Sequence, residues 1–100
     1  MIFNMNPAAV DLSAVTETGI AIETGAHTAA ATPVLIANLP ASLDTDMLAF
    51  VTALNASGAT YAAMSAEHAA QRGVYAGAQA LASAATQANE AITAAANSLA

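Results

Sequence analysis

The chain has 100 residues, with seven carboxylates, one arginine, no lysine and no cysteine, and its formal net charge at pH 7 is −6. Because several cations are needed to neutralise nucleic-acid phosphates, the composition excludes nucleic-acid binding, and the same shortage argues against docking on anionic lipid. The absence of cysteine excludes disulfides and thiolate chemistry, and the length allows one domain at most.

The apolar content is high, but few of the side chains are large. Hydrophobic residues make up 57% of the chain, yet alanine is the most abundant of them, and the aromatic residues are two Phe and two Tyr. Alanine favours helix but buries little surface. Short chains with a thin core usually gain stability from disulfides, metal or association. The composition therefore predicts a helical chain that packs against something else.

The first predicted element is a helix that follows an N-terminal arm, residues 1–6. Asn6-Pro7 supplies a capping residue and a proline suited to the first helical position. Apolar residues then recur at helical spacing, among them Leu12, Val15 and Ile22, and predict helix 1 over about residues 7–31. Pro33 is expected to end it, because the residue before a proline is pushed out of the α region.

The second predicted element is a longer helix, over about residues 45–95, with Asp44 or Ser42 as its cap. Its larger side chains recur at steps of three, four and seven, which is typical of a packing face. Helix 1 offers few large side chains, so we expect this face to meet helix 1 in part and another protein as well. It consists of Phe50, Leu54, Tyr61, Met64, His68 and Tyr75.

The two predicted helices differ greatly in length. At 1.5 Å per residue helix 2 extends roughly 75 Å and helix 1 about 37 Å, so helix 2 must overhang. We therefore predict a single all-α domain over residues 1–100, an antiparallel two-helix hairpin, with a tail that frays from about residue 88.

The sequence contains no catalytic or metal-binding motif. His27 and His68 have no further residues at metal-ligand spacing, and no serine lies in a nucleophile elbow. We therefore predict no enzyme activity, no cofactor and no metal. The uncharged stretch Met47–Ala66 is long enough to span a membrane, but it is rich in alanine and hydroxyl residues. Membrane insertion is accordingly the least favoured alternative.

Four features follow one another along the chain: the start Met1–Pro7, the proline-bounded connection Thr32–Asp44, the stretch Tyr61–His68, and Tyr75. Their order and spacing resemble the PE family, small proteins of mycobacteria and their relatives that are exported by type VII secretion, in which Phe often stands where this chain has Tyr75. The resemblance covers nearly the whole chain. Pro7 is followed by Ala8, so the family's Pro-Glu pair is not intact, and the chain would be a divergent member.

The resemblance implies a non-catalytic subunit that pairs lengthwise with a larger PPE-type protein in a four-helix arrangement. A cytosolic chaperone would act through that partner, and the complex would be exported to the cell surface or beyond. The predicted partner interface comprises the large residues of helix 2 together with Leu12, Val15 and Ile22.

The export signal of such proteins is Tyr, three residues, then Asp or Glu. Ser83 and Gln87 stand where that pattern falls best, so the signal is either lost or carried by the partner. An alternative interpretation is a self-associating helical surface protein that uses the same face and is not exported by this route.

Overall fold

The computed structural model describes residues 4–100, and the predicted family start at residues 1–3 lies outside them. The described chain forms two α-helices and no strand: α1 is Pro7–Ile36 and α2 is Thr45–Ser98. They lie side by side in a hairpin that measures 85 × 22 × 16 Å. This confirms the prediction of an all-α two-helix hairpin.

The start of α1 follows from its first residues. The Oδ1 atom of Asn6 accepts a hydrogen bond from the backbone N–H of Ala9, at 3.3 Å, and Pro7 takes the first helical position. A helix leaves its first backbone N–H groups without partners. The Asn6 side chain satisfies one of them, and Pro7 has no N–H to satisfy.

The predicted end of α1 is wrong, because Pro33 lies inside the helix. The backbone N–H of Ala37 donates to the carbonyl oxygen of Pro33, at 3.2 Å, so the helix continues to Ile36. Pro33 is exposed, and only its own N–H is missing from the ladder. Two residues beyond the proline, the backbone of Leu35 lies against Gly58 of α2, and this packing favours a helical last turn.

The connection between the helices, residues 37–44, is fastened at both ends. Asn38 and Asn55 form a paired contact: Oδ1 of Asn55 accepts from the backbone N–H of Asn38 at 3.0 Å, and Nδ2 of Asn55 donates to the Asn38 carbonyl at 3.1 Å. Asp44 caps α2 by accepting from the backbone N–H of Met47, at 2.8 Å. Ser42 donates to the other carboxylate oxygen of Asp44, and these two hydrogen bonds lower the pKa of that carboxyl.

The seam between the helices consists of small and polar side chains. On α2 the residues turned towards α1 recur at alternating steps of three and four, which is the repeat of a helix-packing seam. Val51, Ala76 and Ser83 are buried there, as is Ala14 on α1. The α2 positions of the seam are Val51, Asn55, Gly58, Ala62, Ser65, Ala69, Arg72, Ala76, Gln79, Ser83 and Thr86.

Side-chain hydrogen bonds cross this seam at regular intervals. Thr28 and Ser65 share a hydroxyl hydrogen bond of 2.7 Å in the middle of the hairpin. Nearer the open end, Nε2 of Gln79 donates to Oγ of Ser13, at 2.9 Å. Because each bond joins a late residue of one helix to an early residue of the other, the bonds fix the antiparallel register.

At Gly58 the two helix backbones lie close together. A Cβ atom built at this position would lie 2.1 Å from the carbonyl oxygen of Leu35 and 2.7 Å from its carbonyl carbon. Real Cβ atoms do not come that near to backbone, so this register requires glycine at position 58.

α2 extends well beyond α1. The first residues of the described chain lie beside Ser83 and Thr86, and residues 88–98 are exposed on every side. α2 nevertheless remains helical to Ser98, through the segment that was predicted to fray. It also passes through Gly73 and Gly77 as one continuous helix.

Replacing Gly58 by alanine should destabilise the hairpin, because the new methyl group meets the backbone of Leu35. The expected loss in the free energy of unfolding is about 1–3 kcal/mol, the usual range for overpacking. Gly73→Ala is the matched control: nothing lies within 4 Å of its Cβ position, so the higher helix propensity of alanine should add up to about 1 kcal/mol. Thermal unfolding followed by circular dichroism measures both. Equal shifts in the same direction would contradict the close approach.

The cap at Asp44 predicts an acid-sensitive contribution to stability. Hydrogen bonds from Ser42 and Met47 lower the pKa of the Asp44 carboxyl in the folded chain. The ionised carboxylate therefore stabilises the fold fully at pH values above the pKa that Asp44 has in the unfolded chain. This stabilisation is lost as the pH falls through the lower pKa of the folded chain. Asn can cap a helix without titrating. Between about pH 4 and pH 2 the melting temperature of the natural chain should therefore fall further than that of Asp44→Asn. Parallel pH profiles for the two chains would rule this contribution out.

Candidate partner interface

The large side chains of α2 do not face α1. They occupy the positions immediately before those of the seam, so they point to one side of the hairpin. We call this set, Phe50, Leu54, Tyr61, Met64, His68 and Tyr75, the α2 stripe. All six residues are exposed; the exposed fraction is 61% for Tyr61 and 66% for Met64. The face meets helix 1, as expected, but only at its edge, where Leu54 is 42% exposed and lines a hollow with Leu35 of α1. The seam occupies the neighbouring positions.

Shallow hollows run along the α2 stripe, between it and α1. Tyr61 separates two of them: Leu54 and Val34 line one, and His27 and Thr24 line the other. A third, nearer the open end, is lined by His68 and Tyr75 together with the side chain of Glu17. The stripe and the near edge of α1 thus form one elongated surface.

The only cation of the chain lies at the edge of this surface and is already paired. Nη1 of Arg72 is 2.7 Å from Oε2 of Glu17 on α1, and both side chains are mostly buried. Nε of Arg72 donates to Nε2 of His68, at 3.3 Å. Because Arg72 is neutralised within the hairpin, the surface presents an apolar, uncharged face.

The predicted interface residues of α1 lie elsewhere. Leu12, Val15 and Ile22 are exposed, as expected of contact residues. Val15, however, borders a groove with Gly73 and Gly77, which follow the seam positions of α2 instead of preceding them. Ile22 lies two turns further along α1 on the same face as Val15. The structure therefore groups the predicted residues of α2 on one side and does not bring Val15 or Ile22 to that side.

Ser83 and Gln87 are bound into the hairpin. Ser83 is completely buried, and its hydroxyl donates to the carbonyl oxygen of Pro7, at 3.4 Å. Nε2 of Gln87 donates in turn to Oγ of Ser83, at 3.1 Å. The position that would hold the tyrosine of the export signal is thus a small residue beneath the start of α1.

Sequence reasoning did not single out the leucines of the connection. Leu39 and Leu43 are each 87% exposed at the tip of the hairpin, next to the cap at Asp44. The available signal was a leucine on each side of Pro40 in the connection, because a turn this short has no room to bury them.

Neither histidine lies in a metal site. His27 contacts Glu23 of its own helix, at 3.4 Å, and His68 accepts from Arg72. Within residues 4–100 no group of three or more His, Asp or Glu side chains could hold a metal ion.

One helix of the described chain, α2, is long and apolar enough to cross a membrane by length and composition. Its most apolar 18-residue stretch has a mean hydropathy of 1.2, and 11% of that stretch is buried in the hairpin. A helix-packing face passes the same test, so this property does not separate the membrane alternative from docking on a protein.

Comparison with protein-family models, with curated proteins and with solved structures finds no match to the chain.

The burial of Ser83 predicts a penalty for restoring an aromatic residue there. Ser83→Tyr should lower the free energy of unfolding by about 1–3 kcal/mol, because the ring must displace Pro7 and the start of α1. Ala84→Tyr introduces the same side chain at the exposed next position and is the control. Thermal unfolding of both variants measures the difference, and equal stability would contradict the packing of Ser83 beneath α1.

Proposed function

We propose that this chain is a non-catalytic, PE-like subunit that pairs lengthwise with a PPE-type helical protein and accompanies it through type VII secretion. The partner covers the α2 stripe, and the two proteins together form a four-helix arrangement. The product is a complex delivered to the cell surface or beyond, and the chain is cytoplasmic before export.

The observation that carries this proposal is the inverted distribution of side chains in the hairpin. Small and polar residues fill the seam, whereas the largest apolar residues of α2 lie outside. Contiguous apolar patches on a soluble protein mark interaction surfaces. Tyr61 and Tyr75 suit such a surface, because tyrosine buries its ring while its hydroxyl remains hydrated.

The shape of the hairpin supports a lengthwise contact. The α2 stripe runs along the helix from Phe50 to Tyr75, roughly 37 Å at 1.5 Å per residue. Only an extended partner, such as another pair of helices, covers a strip of that length. The same helices of the partner would also cover the overhang, residues 88–98.

The positions at Ser83 and Gln87 bear on the export route. A buried Ser83 offers no side chain for a receptor to read from outside the folded hairpin. In the proposed complex the export signal is therefore carried by the partner, and the secretion chaperone also acts through the partner.

Co-purification with a PPE-type protein, first of all one encoded beside this chain's gene, tests the proposal. Leu54→Asp and Tyr61→Asp should each reduce capture of the partner by at least about tenfold, because each places a carboxylate in an apolar contact. Val15 lies away from the α2 stripe, so Val15→Asp should leave capture of the partner near the level of the natural chain. An equal loss with Val15→Asp would contradict binding through this stripe.

The behaviour of the chain by itself is a second, independent test. Without a partner it should self-associate, aggregate or melt over a broad temperature range, because its large apolar residues have no cover. Light scattering and thermal unfolding measure this. A monomer that melts sharply would contradict the proposal.

A further inference from the structure

The outward face of α2 is graded in side-chain size from one end to the other. The α2 stripe supplies bulky residues as far as Tyr75. At the same heptad positions beyond it the residues are Ala78, Ala82 and Ala85, all exposed. Ile92 then restores one large side chain on the overhang, with 69% of it exposed.

This gradient makes the face complementary to itself in the antiparallel direction. When one copy is turned end for end, the bulky half of each α2 lies against the alanine half of the other. Two contacts then join large side chains: Phe50 falls near Ile92 at the ends, and His68 near Tyr75 beside the axis. Between them, Tyr61 falls near Ala82 and Met64 near Ala78. Large against small is the arrangement that lets facing helices pack closely.

The length of α2 fits the same arrangement. A two-fold axis that places these residues opposite one another passes close to Gln71, and the midpoint of Thr45–Ser98 lies within one residue of that position. The two long helices therefore overlap over their whole length. The overhang, residues 88–98, which no part of α1 covers, then lies beside the first turns of the second copy's α2.

We infer that, when no other partner covers it, the α2 stripe is occupied by a second copy of this chain in an antiparallel dimer with its two-fold axis near Gln71. Such an interface is isologous, so each contact occurs twice. A parallel pairing would instead set bulky residues against bulky residues and alanines against alanines.

Charge permits this pairing although each chain carries a net charge of −6. None of the heptad positions that continue the α2 stripe from Phe50 to Ile92 holds a carboxylate. Arg72 and Glu17, at the edge, already neutralise each other. Two copies therefore meet without bringing buried like charges together.

The dimer uses the same surface as the proposed partner, so the two compete for it. It is argued from the chain alone and does not depend on the proposed function. A chain that by itself is a monomer with a broad melting transition, but that captures a PPE-type protein, would overturn the dimer only. A chain that dimerises but captures no such protein would overturn the proposed function only.

Thiol cross-linking tests the direction of pairing, and the natural chain has no cysteine to interfere. Ser57→Cys and Ala85→Cys are small changes at exposed positions of the same heptad column. In the antiparallel dimer they face each other, whereas like positions lie roughly 42 Å apart along the helix. A short bis-maleimide should therefore join a mixture of the two variants and should join neither variant by itself.

The result that overturns the inference is equally specific. Cross-linking of Ser57→Cys to itself would indicate parallel pairing, and absence of any cross-link in the mixture would exclude the dimer. Gly73→Cys is the control on the opposite side of α2, where a new side chain has open space, and it should not cross-link. Circular dichroism confirms that each variant is folded.

A charge substitution provides a second test. Ala82→Glu retains a good helix former and should raise the dissociation constant of the dimer by at least about tenfold, because the carboxylate faces Tyr61 of the second copy. Ala80→Glu adds the same charge on the other side of α2 and should change the constant by less than about threefold. Analytical ultracentrifugation measures both constants. Equal effects, or a chain that is monomeric throughout, would overturn the inference.

Discussion

The close approach of α1 and α2 is the constraint on which the rest of the structure depends. At Gly58 the helix has no space for even a methyl group against the backbone of Leu35. The neighbouring seam positions are correspondingly small, with Ala62 and Ser65 following along α2. Because most of the seam admits only such residues, the six large side chains of the α2 stripe are placed at its margin. The exposed apolar face is therefore a direct result of how the two helices meet.

Hydrogen bonds across the seam specify the hairpin more than they stabilise it. A typical intramolecular hydrogen bond contributes a net of about 0.5–1.5 kcal/mol, because both groups were hydrated in the unfolded chain. The pairs Asn38–Asn55, Thr28–Ser65 and Ser13–Gln79 define one antiparallel register. A shift of one turn would separate them all and would bring a Cβ atom against Leu35. The fold is thus unique in register while remaining poor in buried apolar area.

Local signals in the sequence predicted the elements well and the seam poorly. Asn6-Pro7 and Asp44 marked the two helix starts correctly, because caps act through nearby backbone groups. Pro33 misled the assignment of the end of α1, since packing of Leu35 outweighs the local preference of a proline. The periodicity of α2 contained two adjacent stripes, one large and apolar, the other small and polar. Choosing between them required the distance between the helices, which Gly58 keeps short against the backbone of Leu35 and which no pattern of hydrophobicity encodes. The periodicity placed the six large α2 residues on one face, but the position of that face beside the seam, and the placement of Val15 on the other side, could not be predicted for the same reason.

The hydrogen bonds that recur along the seam also influence how the hairpin unfolds. Each of them touches only its nearest neighbours along the helices, so the molecule has no central cluster that must break all at once. We expect opening to begin at the free end, where Ser83 contacts Pro7 and Thr86 contacts Met5, and to proceed towards the turn that Asn38 and Asn55 hold. Backbone amides near the turn should then be the slowest to exchange with solvent, with protection that declines towards the termini.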